Sequence, residues 1–392
     1  MRPLFSRAWR AGLAAAGVAL FSGCSWLNPF AGSSPKMAAL PPIKATVEAR
    51  VDWSYSIGKA GNFVFYPAAS NDAVFVAAQD GSLARLENGI EKWRVKTGKP
   101  LSAGVGSDGE RVAVGTRKGE ALVFSARDGA FLWQAEASSE ILAPPLVEGD
   151  LVIVKSGDHR LAAFDETGKQ KWASQRPSPS LSLRGASPMR AMENLVLTGF
   201  PGGKLAAISQ ENGAPLWEGM VALPKGATEL ERVADVSAPP AVLGATVCAA
   251  AFQGRVTCFD FAQGGNVLWT RDNLSSHVGL ALDDRGVYVT DDESALHALD
   301  LASGGSRWKM EKLLRRKLTA PLALGAYLAL GDVEGYVHIV DRDDGALAGR
   351  LKLDGSIAVA PQPLPGGKFL IQTRSGRVYG VSLRQFRGQK PE

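Results

Sequence analysis

Residues Leu161-Ala-Ala-Phe-Asp-Glu-Thr-Gly168-Lys-Gln-Lys-Trp172 decide how this chain folds, because they join a short apolar strand, a glycine-ended turn and a second strand carrying a tryptophan. The strand half recurs eight times. It reads Gly81-Ser-Leu-Ala-Arg-Leu86, Gly119-Glu-Ala-Leu-Val-Phe124, His159-Arg-Leu-Ala-Ala-Phe164 and Gly203-Lys-Leu-Ala-Ala-Ile208, then Gly254-Arg-Val-Thr-Cys-Phe259, Ser294-Ala-Leu-His-Ala-Leu299, Gly335-Tyr-Val-His-Ile-Val340 and Gly376-Arg-Val-Tyr-Gly-Val381. Successive starts lie 38 to 51 residues apart, room for four short strands and their turns, which is the period of a propeller blade. Ahead of each unit lies an apolar segment such as Ala73-Val-Phe-Val76 or Leu151-Val-Ile-Val154. Ahead of that comes a strand often punctuated by proline, as in Ala143-Pro-Pro145 and Ala238-Pro-Pro240, which suits the start or an edge of a blade, where ladder pairing is absent or interrupted.

The fourth strand of a unit carries Trp93, Trp133, Trp172, Trp217, Trp269 and Trp308. In the seventh unit Gly349 takes the tryptophan position, and the eighth unit stops after its third strand. Trp53, in turn, has no strands of its own ahead of it. These deficits cancel if Val47 to Ser56 supplies the outer strand of the eighth unit, which also removes the open edges of an unclosed ring. The sequence therefore predicts an all-β chain folded as a single eight-bladed β-propeller over 47–384, with four antiparallel strands per blade and the ring closed by an N-terminal strand in the last blade. The seven tryptophans, Trp53 included, are expected to pack between blades with the indole N–H on a neighbouring carbonyl.

Composition fits one large body, with 45% hydrophobic and 21% charged residues. The formal charge of +5 includes Arg2, Arg7 and Arg10, so the body is close to neutral, and no basic run with interleaved aromatics points to nucleic acid. Arg2 to Arg10 forms a basic head, Ala11 to Phe21 an apolar stretch too short for a permanent span, and Ser22, Gly23 and Cys24 a cleavage region. Leu20-Phe21-Ser22-Gly23-Cys24 resembles the lipobox of bacterial lipoproteins. That resemblance implies a signal peptide over 1–23, lipidation at Cys24 and, over 24–46, a flexible lipidated tether rich in Pro, Gly, Ser and Ala. Ser25 stands where such lipoproteins carry Asp when they stay in the inner membrane, which implies an outer-membrane anchor with the body facing the periplasm. A C-terminal tail follows over 385–392.

The two longest intervals between repeats put their extra length into connections that follow an outermost strand, Gln175 to Arg184 before blade four and Met220 to Asp235 before blade five. Both emerge on one face, as neighbours on one rim. Leu181, Leu183 and Arg184 lie outside the strand alternation, where leucines are hidden either by folding inward or by a partner. His159, His277, His297 and His338 are scattered without ligand spacing, and Lys312 to Lys317 reads as a solvated basic loop. Cys248 and Cys258 share a hairpin. A two-residue loop at Gln253-Gly254 would send their sulfurs to opposite sides of the sheet, whereas a three-residue loop centred on Gln253 would place them face to face.

The Leu-x-Ala-x-Asp-x-x-Thr-Gly-x-x-x-Trp flavour of Leu161 to Trp172, echoed at Leu296-His-Ala-Leu-Asp300, resembles PQQ-type propeller repeats. A WD40 propeller is excluded, since Ser54, Arg94, Gln134, Ala173, Glu218, Thr270 and Lys309 follow the tryptophans instead of Asp. A kelch propeller is excluded because the glycine pairs keep no fixed place. A PQQ-dependent quinoprotein, the enzymatic alternative, needs a calcium site and usually a vicinal cysteine pair; Cys248 and Cys258 are not vicinal and no acidic cluster stands out. Across the whole chain after the signal segment, the length, lipobox, eight repeats and N-terminal closure resemble the BamB family, lipoprotein subunits of the β-barrel assembly machinery of the outer membrane. Leu181-Ser-Leu-Arg-Gly185 reproduces a stretch by which that family docks on BamA, and Asp235-Val236 falls in a second such stretch, where Ser237 replaces a frequent second acid. The resemblance implies a non-catalytic scaffold without cofactor. It implies that Leu181, Leu183, Arg184 and Asp235 contact the POTRA domains of BamA, with other subunits reached through BamA and unfolded outer-membrane proteins as possible substrates.

Overall fold

The structure is a computed structural model that describes residues 36–185 and 187–386, and its compact body begins at Ala38. The expected signal peptide, Cys24 and most of the expected tether, together with residues 387–392 of the tail, lie outside the described residues.

Eight four-stranded antiparallel sheets follow one another around a ring. Seven are built from consecutive strands, spanning 68–96, 101–136, 146–174, 190–220, 241–271, 280–310 and 322–352. The eighth takes Gln362–Leu364, Lys368–Gln372 and Arg377–Gln385 from the C-terminal end and Val47–Ser56 from the N-terminal end, in the order predicted from the two deficits. Val47 pairs with Gln385 and Val51 with Val381, and the register then shifts before Trp53.

The middle strands of each blade are flanked by neighbouring blades on both sides, so they are largely apolar and buried rather than strictly alternating. Ala73–Ala77 is buried at every position. One core cluster joins Phe75 and Leu83 of blade one to Val112 and Leu122 of blade two, and another joins Leu197 and Leu205 of blade four to Val247 and Phe259 of blade five. Each such side chain taken from water contributes about 1.5–3 kcal/mol, so the seams between blades hold the ring. Pro145, Pro240 and Pro321 fall one residue ahead of an inner strand, where no ladder hydrogen bond is lost.

At seven of the eight seams a tryptophan of one blade lies against a glycine in the last turn of the next. The pairs are Trp53 with Gly89, Trp93 with Gly129, Trp133 with Gly168, Trp172 with Gly213, Trp217 with Gly265, Trp269 with Gly304 and Trp308 with Gly345. Every one of these glycines is left-handed, and a Cβ on any of them would come within 2.9 Å of the indole. The motif Thr-Gly-x-x-x-Trp therefore combines the donor of one seam with the acceptor of another. Four indoles meet the expected carbonyl: Trp93 Nε1 donates to Ala126 O at 3.0 Å, Trp172 to Gln210 O at 2.7 Å, Trp269 to Leu301 O at 2.8 Å and Trp308 to Arg342 O at 2.9 Å. Trp133 Nε1 is buried without a partner, and Trp217 packs edge-on against Phe259 and Phe261 instead. The eighth seam has no such turn, since its outer strand arrives from the N-terminus. There the carbonyl of Val47 stands 2.6 Å from where a Gly349 Cβ would be, which explains why this position alone has lost its tryptophan.

The hairpin of Cys248 and Cys258 closes around a three-residue loop, with the Ala251 N–H on Arg255 O at 3.0 Å and Gln253 left-handed at φ 48°. The cysteines are therefore directly opposed, Cα atoms 4.1 Å apart, and form a disulfide buried beneath Trp269.

Candidate functional site

In an antiparallel four-stranded blade the turn between the second and third strands and the connection leaving the fourth strand share one end of the sheet. The connections 175–189 and 221–240 therefore meet the turns of blades three, four and five on one face. Hydrogen bonds tie them together there. Asp235, only 3% exposed, accepts the Leu183 N–H at 2.5 Å on one carboxylate oxygen and the Gly202 N–H at 3.1 Å on the other. Ser182 Oγ lies 3.3 Å from His159 Nε2, and Ser180 Oγ lies 3.4 Å from Glu229 Oε2.

Asp235 thus departs from the expectation of a surface contact. Two backbone N–H groups of irregular segments converge on it with no ladder to satisfy them, and its carboxylate turns inward to do so. It positions Leu183. Leu181 is 39% exposed, Leu183 half-buried, and Arg184 projects outward in a two-pronged pair with Glu140, at 2.8 and 2.5 Å. The hydrogen bonds from Arg184 hold the Glu140 carboxyl below its ordinary range. Ser237 caps the His277 carbonyl at 3.2 Å.

The second connection adds side chains that sequence reasoning did not single out. Leu223 is 53% exposed and Leu230 71%, and Met220, at the end of the preceding strand, is exposed as well. Their only signal is a large apolar residue standing among the small, polar and charged residues of Pro224 to Glu231. Leu181, Leu223 and Leu230 thus stand exposed on the two connections, which Ser180 and Glu229 join and which also carry Arg184 and Arg232.

Beneath Leu183 is a cavity of about 30 Å³ lined by Lys155, His159, Leu183, Gly185, Asp235 and Ser237. Lys155 is buried. Its Nζ donates to Gly199 O and, at 3.1 Å, to Thr198 Oγ1, and it stands 4.6 Å from the Phe200 ring centre. Burial pushes its ammonium down to about 7, against the opposing attraction of Asp235. Between pH 7 and the ordinary lysine range the unfolded chain then holds a proton that the folded chain has shed, so stability rises with pH through that window. Urea unfolding at pH 7 and pH 9.5 should show this rise in the wild type and a smaller one in Lys155→Met; equal rises would remove Lys155 as the cause.

Among the described residues no three His, Cys, Asp or Glu side chains form a group that could hold a metal ion. His277, His297 and His338 each pair with one aspartate. No helix among the described residues is long and apolar enough to cross a membrane.

Residues 79–310 match the family described as outer membrane protein assembly factor BamB. The protein of that name from Bordetella pertussis is 40% identical over 378 residues, covering 96% of this chain and 97% of the relative. The one from Escherichia coli K12 is 31% identical over 381 residues, covering 93% and 96%. The crystal structure of BamB from Moraxella catarrhalis superposes with a TM-score of 0.80 at 27% identity, over 86% of this chain and all of that one. A quinohemoprotein alcohol dehydrogenase from Comamonas testosteroni shares the fold, with a TM-score of 0.68 at 12% identity over 88% of this chain and 78% of its own.

Proposed function

The chain belongs to the BamB family of outer membrane protein assembly factors, and from that premise we propose that it is a non-catalytic lipoprotein scaffold of the β-barrel assembly machinery that docks on the POTRA domains of BamA. In this reading Cys24 carries the lipid, the outer membrane holds the anchor, and the propeller stands in the periplasm. Other subunits are reached through BamA, and unfolded β-barrel proteins pass to it while it is so docked.

The observation that carries the reading is the rim ahead of blades four and five. Leu181 and Leu183 sit in a loop with no secondary structure of its own, yet Asp235 fixes that loop from below. Such pre-organisation lowers the ordering cost of association. Arg184, held by Glu140, presents an oriented guanidinium at the edge of an apolar patch, which suits the common pattern of an apolar anchor with a polar margin.

Leu183→Asp and Arg184→Ala are expected to leave the fold intact and to weaken binding to the isolated POTRA domains about tenfold or more each. Arg184→Glu should cost more, because it sets a second carboxylate against Glu140. Undiminished co-purification with BamA in all three variants, with unchanged circular dichroism, would refute the docking assignment.

A further inference from the structure

The segment 38–46, composed like a linker, is bonded along the whole length of blade seven. The Ala38 N–H donates to Leu314 O at 3.0 Å and the Thr46 N–H to Ala348 O at 2.8 Å. Arg350 Nη2 donates to Pro41 O at 3.1 Å. Leu40 and Ile43 pack against the cluster of Leu313, Leu318 and Leu347.

At its start the segment meets the most deeply buried cation among the described residues. Arg316 is 1% exposed, and its guanidinium donates to Asp332 at 2.7 Å, to Glu334, and to Ala38 O at 3.0 Å. It also lies 5.7 Å from the Tyr336 ring centre. Arg315 and Lys317, on either side, are both left-handed, at φ 61° and 50°. That backbone is strained for long side chains, by about 1 kcal/mol or more apiece. It turns the flanking charges outward and drives Arg316 inward. Burying an arginine is unfavourable unless its donors are filled, and one of them is filled by the segment itself.

We propose that residues 38–46 are a fixed strap of the propeller rather than free tether, and that Arg316 is the clasp that sets where the chain enters the body. Leu314, Arg316 and Glu334 belong to the connection before blade seven and to the second turn of that blade, so the clasp lies on the face that carries the rim connections. Thr46 lies by the start of the fourth strand, Leu347–Lys352, at the opposite end. The strap thus climbs blade seven, and Val47–Ser56 returns down blade eight. Any pull on the N-terminal end is delivered to the face of Leu181 and Leu230. This geometry does not depend on BamA or on lipidation.

Lys44, exposed within the strap, offers the test by limited trypsin digestion of the full chain with mass spectrometry. Cleavage after Lys44 should be about 30-fold slower or more than in a synthetic peptide spanning 38–46, because it requires local opening. Arg316→Ala should restore much of the peptide rate while the propeller stays intact. Because Arg316→Ala leaves Asp332 without its cation and could disturb blade seven, the double variant Leu40→Ser/Ile43→Ser tests the strap without touching a buried charge. Cleavage of the wild type at the peptide rate would overturn the strap. An unchanged Lys44 rate in a folded Arg316→Ala, with faster cleavage in the double variant, would overturn the clasp.

Discussion

A chain lacking Val47–Ser56 is expected to lose the closed ring altogether. Nine paired positions with Arg377–Gln385 would go, together with Val47 and Ala49 from the core shared by blades seven and eight, and Trp53 from its seat against Gly89 and Gly380. The loss should exceed about 5 kcal/mol, the lower end of the net stability of a whole domain. Near-ultraviolet circular dichroism and gel filtration should then report a non-native, self-associating chain, since Arg377–Gln385 becomes an unpaired edge. Because Val47 faces Gln385, moving the strand to follow Gln385 through a short turn should restore a cooperative fold. A deletion variant with the wild-type urea midpoint would show that closure contributes nothing.

The second large effect separates two neighbouring glycines in one turn. Gly264 and Gly265 are both left-handed, at φ 72° and 80°, but a Cβ on Gly264 meets open space, whereas one on Gly265 would stand 2.3 Å from Trp217 Nε1. Gly264→Ala should cost about 1 kcal/mol, the strain of the left-handed backbone alone. Gly265→Ala should cost roughly 1–3 kcal/mol more, as over-packing of a filled site does. Urea denaturation of the two variants checks this. Equal losses would mean that the tryptophan seat does not restrict this position.

The ring was readable from the chain because each blade must cover its neighbour with the same apolar pattern, and that requirement writes a period. The partnership of Trp172 with Gly213 was half-readable: the indole signalled a seam, but the glycine looked like an ordinary turn residue until its close approach to the ring was visible. Gly349 stood out as a missing tryptophan, and only the path of Val47 gives the reason. In the hairpin of Cys248, the left-handed Gln253 decides between two loops that the residues alone left open.

The rim was legible for a different reason. Extra length between repeats located both connections, and Leu181-Ser-Leu-Arg-Gly185 carried a family resemblance. The inward turn of Asp235 had no signature, because a carboxylate that bonds backbone N–H groups has the same sequence as one that meets a partner. Leu223 and Leu230 escaped because irregular segments have no periodicity against which an exposed leucine stands out. Leu40 and Ile43 were masked by the prolines between them.

Ring closure across the two ends also sets an order of events. Val51 and Val381 come from opposite ends of the propeller sequence, so their pairing is among the most non-local contacts of the fold, and such contacts form slowly. A chain truncated before Arg377 lacks every partner of Val47–Ser56 and leaves that edge open to proteases. Closure is in that sense a proofreading step: only a full-length polypeptide can hide its own beginning.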